Sequence, residues 1–215
     1  MNTTLALVAV PAALAIGFVA GRTSVATEAH QPAALVQDGQ DGSEPAMDEM
    51  TMRLTQPGDH HAVLGVFVGD WDATVTMWDP RSPEPSVETG TMHAEWIMGG
   101  RFLKQNFSAT IMGMPFEGMG LMGYSGGEQV YESVWVDNMV TDLAYGSGYA
   151  SADGLSLTSL SSEIDWETGR PRDVEERTQI VSKDEISYER WYPATDGGED
   201  VRSMRIVYKR RAGTR

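Results

Sequence analysis

From Trp71 to Arg210 the chain is a succession of short runs in which apolar and polar residues alternate, each ended by turn-forming residues. A period of two puts successive side chains on opposite faces, the pattern of half-buried β-strands, and no helical periodicity interrupts it. Trp71, Ala73, Val75 and Met77 alternate with Asp72, Thr74 and Thr76 before a PRSPEP stretch ends the run. Further strands are expected at 89–97, 101–110, 116–125, 130–137, 141–150, 155–163, 172–180, 185–192 and 201–210. Met98-Gly99-Gly100, Gly126-Gly127, Asp153-Gly154 and Lys183-Asp184 supply tight connections between them. Short connections make an up-and-down antiparallel meander, and about ten such strands close into a β-barrel that leaves no sticky edge. Gly118, Gly120 and Gly123 fall inside one strand, where glycine marks the bending that closure requires. Ahead of the strands, residues 60–67 are expected to form a short helical turn with Asp59 as its N-cap.

The N-terminal part has a different character. Residues 5–21 read LALVAVPAALAIGFVAG, without a charge. A run of this length fits either a signal peptide cleaved after Ser24-Val25-Ala26 or a retained membrane anchor near the lower length limit of about 17 residues. Either reading predicts an exported protein, periplasmic or extracytoplasmic. The next stretch is rich in Gln, Asp, Glu, Pro and Gly and has no Phe, Trp or Tyr, too little apolar surface to offset chain entropy. The expected organisation is therefore a targeting segment at 1–26, a disordered acidic linker at 27–56 and a barrel domain at 57–211.

Charge and composition exclude several functions. With 31 acidic against 16 basic residues the net charge is −15, which opposes phosphate backbones and makes nucleic acid an unexpected partner. Membrane contact is expected through the N-terminal segment only. Zero cysteine removes disulfides, thiolate metal sites, a cysteine nucleophile and a lipid-modified cysteine. No nucleophile elbow, phosphate loop or dinucleotide fingerprint occurs, so no catalytic residue and no cofactor are assigned, and an enzyme is not the expected reading. The sequence does not set the oligomeric state.

The candidates for binding chemistry are apolar. Met98, Met112, Met114, Met119, Met122 and Met139 cluster in or beside the glycine-rich strand, and methionine's flexible thioether suits an adaptable pocket. Trp96 and Trp135 lie in central strands, with Tyr124, Tyr131, Tyr145 and Tyr149 nearby in the chain; aromatic rings of this kind grip flat apolar molecules inside a barrel or fill it. The ligand-binding set assigned from these is Trp96, Met112, Met114, Phe116, Met119, Met122 and Trp135. His93, two residues from Glu95, is the best candidate for a base or haem ligand if its face is inward. Asp59-His60-His61 carries metal-ligand residue types, but adjacent side chains diverge and no third ligand is evident, so no metal site is assigned. The alternating charges of Arg172-Asp173-Val174-Glu175-Glu176-Arg177 read as a solvated outer face.

Gly69-Asp70-Trp71 at the start of the first strand resembles the Gly-x-Trp motif of lipocalin-type barrels. Four longer segments resemble a bacterial family known as domain of unknown function 1579. They are H-x-x-L-x-x-F-x-G-x-W (His61 to Trp71), EWIMGGRFL (Glu95 to Leu103), MGMPFEGMGLMGY (Met112 to Tyr124) and VWVDNM (Val134 to Met139). The resemblance spans about residues 57 to 211 and implies a lipocalin-like, fatty-acid-binding-protein-like barrel. It also implies that Trp71 plugs one end against a basic residue of the last strand. Arg202 and Arg205 are the two that qualify, and Arg205 is assigned. By analogy of fold, the expected function is binding of a small hydrophobic ligand in the barrel. The alternative is an envelope protein-interaction module with a filled barrel.

Overall fold

The computed structural model describes residues 48–165, 167–194 and 197–213. The targeting segment at 1–26 and the linker as far as residue 47 lie outside the described residues. Ten strands follow one another: β1 (Gly69–Met77), β2 (Ser86–Ile97), β3 (Phe102–Ile111), β4 (Met114–Ser125), β5 (Val130–Asp137), β6 (Ala144–Ala150), β7 (Ser156–Ile164), β8 (Pro171–Ser182), β9 (Glu185–Tyr192) and β10 (Val201–Arg210). Each pairs antiparallel with its sequence neighbours, and β1 pairs with β10 from Trp71↔Arg210 to Met77↔Met204, which closes the barrel. Closure satisfies both edges of every strand.

The alternation expected for the first strand is realised. Trp71, Ala73 and Val75 are buried and Asp72 and Thr74 are exposed. The same parity continues inward through Met92 and Ala94 of β2, Leu103, Phe107 and Ile111 of β3, Tyr131 of β5, Leu157 of β7, Ile186 of β9 and Ile206 of β10. In β4 the glycines have a packing role: the Trp135 indole lies over Gly118 and Gly120, where a Cβ on Gly118 would collide with the ring.

The chain entering β1 closes one end. Helix α2 (Asp59–Leu64) runs into a 3-10 turn, Gly65–Phe67. The N-cap is Gly58 rather than Asp59, and the Gly58 N–H donates to His61 Nδ1. Leu64 and Phe67 are buried against Trp71 in the core cluster, each such side chain contributing about 2 kcal/mol. Part of the expected linker is helical too. Helix α1 (Glu49–Thr55) is N-capped by Asp48, which accepts from Thr51 N–H at 2.7 Å. Its last carbonyl, on Thr55, accepts two hydrogen bonds from the Arg101 guanidinium in the β2–β3 turn. Seven polar-rich residues would not hold a helix alone; the cap and the Arg101 contact supply what composition lacks. Among the described residues no helix is long and apolar enough to cross a membrane.

Candidate functional site

Inside the barrel lies a cavity of about 200 Å³, slightly below the ordinary range of roughly 300–1,000 Å³ for ligand pockets. Its floor is the plugged end, with Phe67, Tyr131, Leu157 and Ile186. One wall, from β1 to β4, is apolar: Val75, Met92, Phe107, Ile111, Phe116 and Met122. The facing wall is polar, with Ser133, Ser159, Ser161, Glu176, Thr178 and Tyr188. Within the polar wall, the inward positions of β6 are Ala144, Gly146 and Gly148, which leave the space that larger side chains would fill. A Cβ at Gly146 would press on the Ser133 hydroxyl.

The end away from the plug holds a charged cluster. Glu163, only 1% exposed, accepts from Arg172 Nε and Nη2 on one carboxylate oxygen at 2.9 and 2.6 Å, and from Arg190 Nη2 on the other at 2.6 Å. Arg172 also pairs with Asp165 at 3.0 Å, donates to the Tyr192 hydroxyl at 2.7 Å and stacks on the Tyr192 ring. Arg190 stands 3.9 Å from Glu176, whose other oxygen accepts from Ser159 at 3.3 Å. Burial first, and then the negative charge of Glu176, push the pKa of the Tyr188 phenol well above its usual value. Burial alone would weaken proton binding by Arg190, but Tyr188, Glu163 and Glu176 outweigh it and hold the guanidinium charged. A buried charge needs such partners, because desolvation without them costs several kcal/mol.

The plug has its own cation. Trp71 is fully buried and its indole N–H donates to the Phe67 carbonyl at 2.7 Å. The guanidinium lying 4.0 Å over the indole belongs to Arg210. It donates to the carbonyls of Val66, Val68 and Lys183, tying the 3-10 turn to the β8–β9 turn. This corrects the assignment of Arg205. That side chain is 45% exposed, points outward, and meets Ser187 and Glu189. Arg202 also faces outward, on Glu189 and the Trp78 ring. A bulge between Arg202 and Met204 shifts the face on which later residues of β10 lie.

The assigned ligand-binding residues divide. Phe116, Met122 and Trp135 line the cavity. Trp96 packs half-buried against the core without reaching the cavity. Met114 starts β4 outside the lining, and Met112 sits in the β3–β4 turn, 40% exposed. Met119 is exposed and faces outward, because Gly118 and Gly120 hold the inward positions on either side of it. Tyr145 and Tyr149 are on the outer surface as well. His93 also points outward: its Nδ1 meets Asp70 at 2.7 Å on the exterior, so it presents no base or haem ligand to the interior. His60 stacks on Tyr124 at 4.2 Å. Among the described residues no three or more His, Asp or Glu side chains gather as a metal site. The Arg172–Arg177 stretch is a solvated face only by half. Arg172, Val174 and Glu176 turn inward, and Asp173 is exposed.

The charged cluster escaped sequence reading. Arg190 stands at the parity of Ile186 and Tyr188, so extending the apolar alternation of β9 would have placed a cation inside and prompted a search for its acid.

Several comparisons bear on this architecture. The family described as Protein of unknown function (DUF1579) matches residues 56–210. The crystal structure of Rv2717c from M. tuberculosis aligns with a TM-score of 0.52 at 17% identity, covering 73% of this chain and 99% of that one; the likeness is one of fold. A redesigned β-barrel aligns over 69% of this chain and 95% of that one at 15% identity, with a TM-score of 0.37 that supports no conclusion. No curated protein matches. The family match covers most of the chain and includes every strand of the barrel, so the protein belongs to the DUF1579 family.

Proposed function

We propose that this protein is an exported carrier or sensor that holds a small hydrophobic molecule in its barrel. The observation that carries the reading is the cavity of about 200 Å³ itself, with an apolar wall of Phe107, Phe116, Met122 and Met92. Empty apolar space costs stability, and a ligand that fills it recovers the lost contacts. The polar groups opposite give such a molecule an orientation. Export rests on the uncharged run at 5–21, which would put the barrel outside the cytoplasm, either freed by cleavage or tethered by its linker.

Native mass spectrometry of the protein, purified gently from its own compartment, tests the proposal. A reproducible extra mass released by denaturation is expected. A clean apo mass that no added apolar compound shifts would overturn it.

A second reading, an envelope interaction module, draws on the outward row Leu121–Val134–Tyr145, which is continuous across β4, β5 and β6, with exposed Leu160 beyond it on β7. Exposed apolar patches of this sort often mark contact surfaces. Loss of a co-purifying protein on Leu160→Glu, with cavity binding unchanged, would favour it.

A further inference from the structure

Resting on the cavity-binding reading, we infer that the ligand is a compact cationic amphiphile: an apolar body ending in a protonated amine that docks on Glu176. A fatty acid is the natural expectation for a barrel with a buried arginine, and the electrostatics here oppose it. Among the described residues Arg190 is the one guanidinium on the cavity lining, which also carries Glu163, Glu176 and Glu132, the last taken up by the Tyr145 hydroxyl. Glu163 and Glu176 are already its partners, at 2.6 and 3.9 Å. An incoming carboxylate would have to displace Glu163, which is also held by Arg172, or stand beside two like charges.

Counting the whole cluster, Glu163, Glu176 and Asp165 face Arg172 and Arg190, so one negative charge is in excess. Other inward groups do not reverse this. Glu88 pairs in register with inward Val75, and Asp137 accepts from the Trp135 indole at 3.0 Å, so both add carboxylates toward the same end. Arg210 is at the opposite end, engaged with three backbone carbonyls and with Asp184 at 3.5 Å.

Within the cluster Glu176 is the group placed to receive a donor. Both oxygens of Glu163 accept short bonds from guanidinium nitrogens. Glu176 lines the cavity, has a side chain 21% exposed, stands 3.9 Å from Arg190 and accepts a longer bond from the Ser159 hydroxyl at 3.3 Å. Ser133, Ser161 and Thr178 lie on the same wall, within the class of short hydroxyls that accept the remaining protons of an ammonium. The apolar wall opposite takes the hydrocarbon body. A chain of net charge −15 also attracts cations over distance.

The test is calorimetric titration of the full-length protein with octylamine, octanol and octanoate at neutral pH. Octylamine is expected to bind about tenfold or more tightly than octanol, and octanoate most weakly, as an excess negative charge in a low-dielectric cavity dictates. Glu176→Gln should lower octylamine to the level of octanol. If octanoate binds as tightly as octylamine, if octanol equals octylamine, or if Glu176→Gln keeps the full amine preference, the inference is overturned while cavity binding stands. If none of the three binds, the cavity reading falls and the inference with it. Should Glu176→Gln fail to fold, the order of the three probes on the wild-type protein decides alone.

Discussion

Arg210 at the plugged end directs its donors to backbone carbonyls and its face to the Trp71 indole, whereas Arg190 at the far end directs its charge to Glu163 and Glu176. The same side chain thus serves two purposes. At the plug, carbonyl partners fix the guanidinium's geometry, its carboxylate neighbour is the exposed Asp184 at 3.5 Å, and the surrounding Leu64, Phe67 and Leu103 are apolar. Carboxylate partners neutralise charge, so the far end tolerates a buried cation and keeps one carboxylate facing the cavity. The contrast teaches that the barrel divides its chemistry along its axis, with an apolar closure at one end and buried charge at the other.

Removing the plug should break this division most severely. Trp71→Ala is expected to cost about 4 kcal/mol, the loss of a buried aromatic and its packing, measured by urea denaturation; a cost under about 1 kcal/mol would mean that the end collapses around the gap. Arg190→Met should cost about 3 kcal/mol, because it leaves Glu163 and Glu176 without their shared cation. The same denaturation series checks it, and a neutral outcome would show that water already solvates the cluster. Arg210→Met should cost about 2 kcal/mol through the unpaired Val66 and Val68 carbonyls and the lost stacking. Hydrogen exchange should localise the loosening to residues 59–67, and uniform loosening would count against a local tie.

Alkaline pH tests the buried phenols. The phenols of Tyr188, Tyr192 and Tyr208 all have raised pKa values, chiefly through burial, with Glu176 adding to Tyr188 and Glu163 to Tyr192. Their neutral form is therefore favoured by folding. That stability is complete below the unfolded phenol value of 10.0 and is lost as pH rises above it. Circular dichroism across that range should show a falling midpoint, flattened in Tyr208→Phe; an unchanged slope would remove Tyr208 from the account. The smallest effect belongs to Arg205→Ala, expected within about 0.5 kcal/mol because the side chain is at the surface. A loss near that of Arg210→Met would reverse the assignment of the plug cation.

The strands could be read from the chain because alternation and turns are local properties. Gly126-Gly127 and Asp153-Gly154 mark connections whatever the remainder does, and the first strand is buried at Trp71, Ala73 and Val75 as its pattern requires. Facing was harder wherever both parities carry the same chemistry. In β8 charges stand on both faces, so Glu176 could not be told from Glu175. In β4 methionines stand on both, so Met119 and Met122 looked equivalent although one is exposed and the other lines the cavity. In β10 a bulge after Arg202 breaks the count, and the arginine over Trp71 is five residues beyond the one assigned from the resemblance.

By itself the sequence determined an all-β chain of successive antiparallel strands with a tryptophan at the start of the first and little to bind an anion. These follow from periodicity, turn chemistry and composition, all of which act between near neighbours. The tertiary structure alone decided that β10 closes on β1 in the register Trp71↔Arg210, that Glu163, Arg172 and Arg190 from three strands share one buried cluster, and that small residues on β6 leave a cavity between an apolar and a polar wall. Those outcomes depend on contacts between residues far apart in the chain, and a pattern of period two fixes which side a residue takes only after the register of its partners is set.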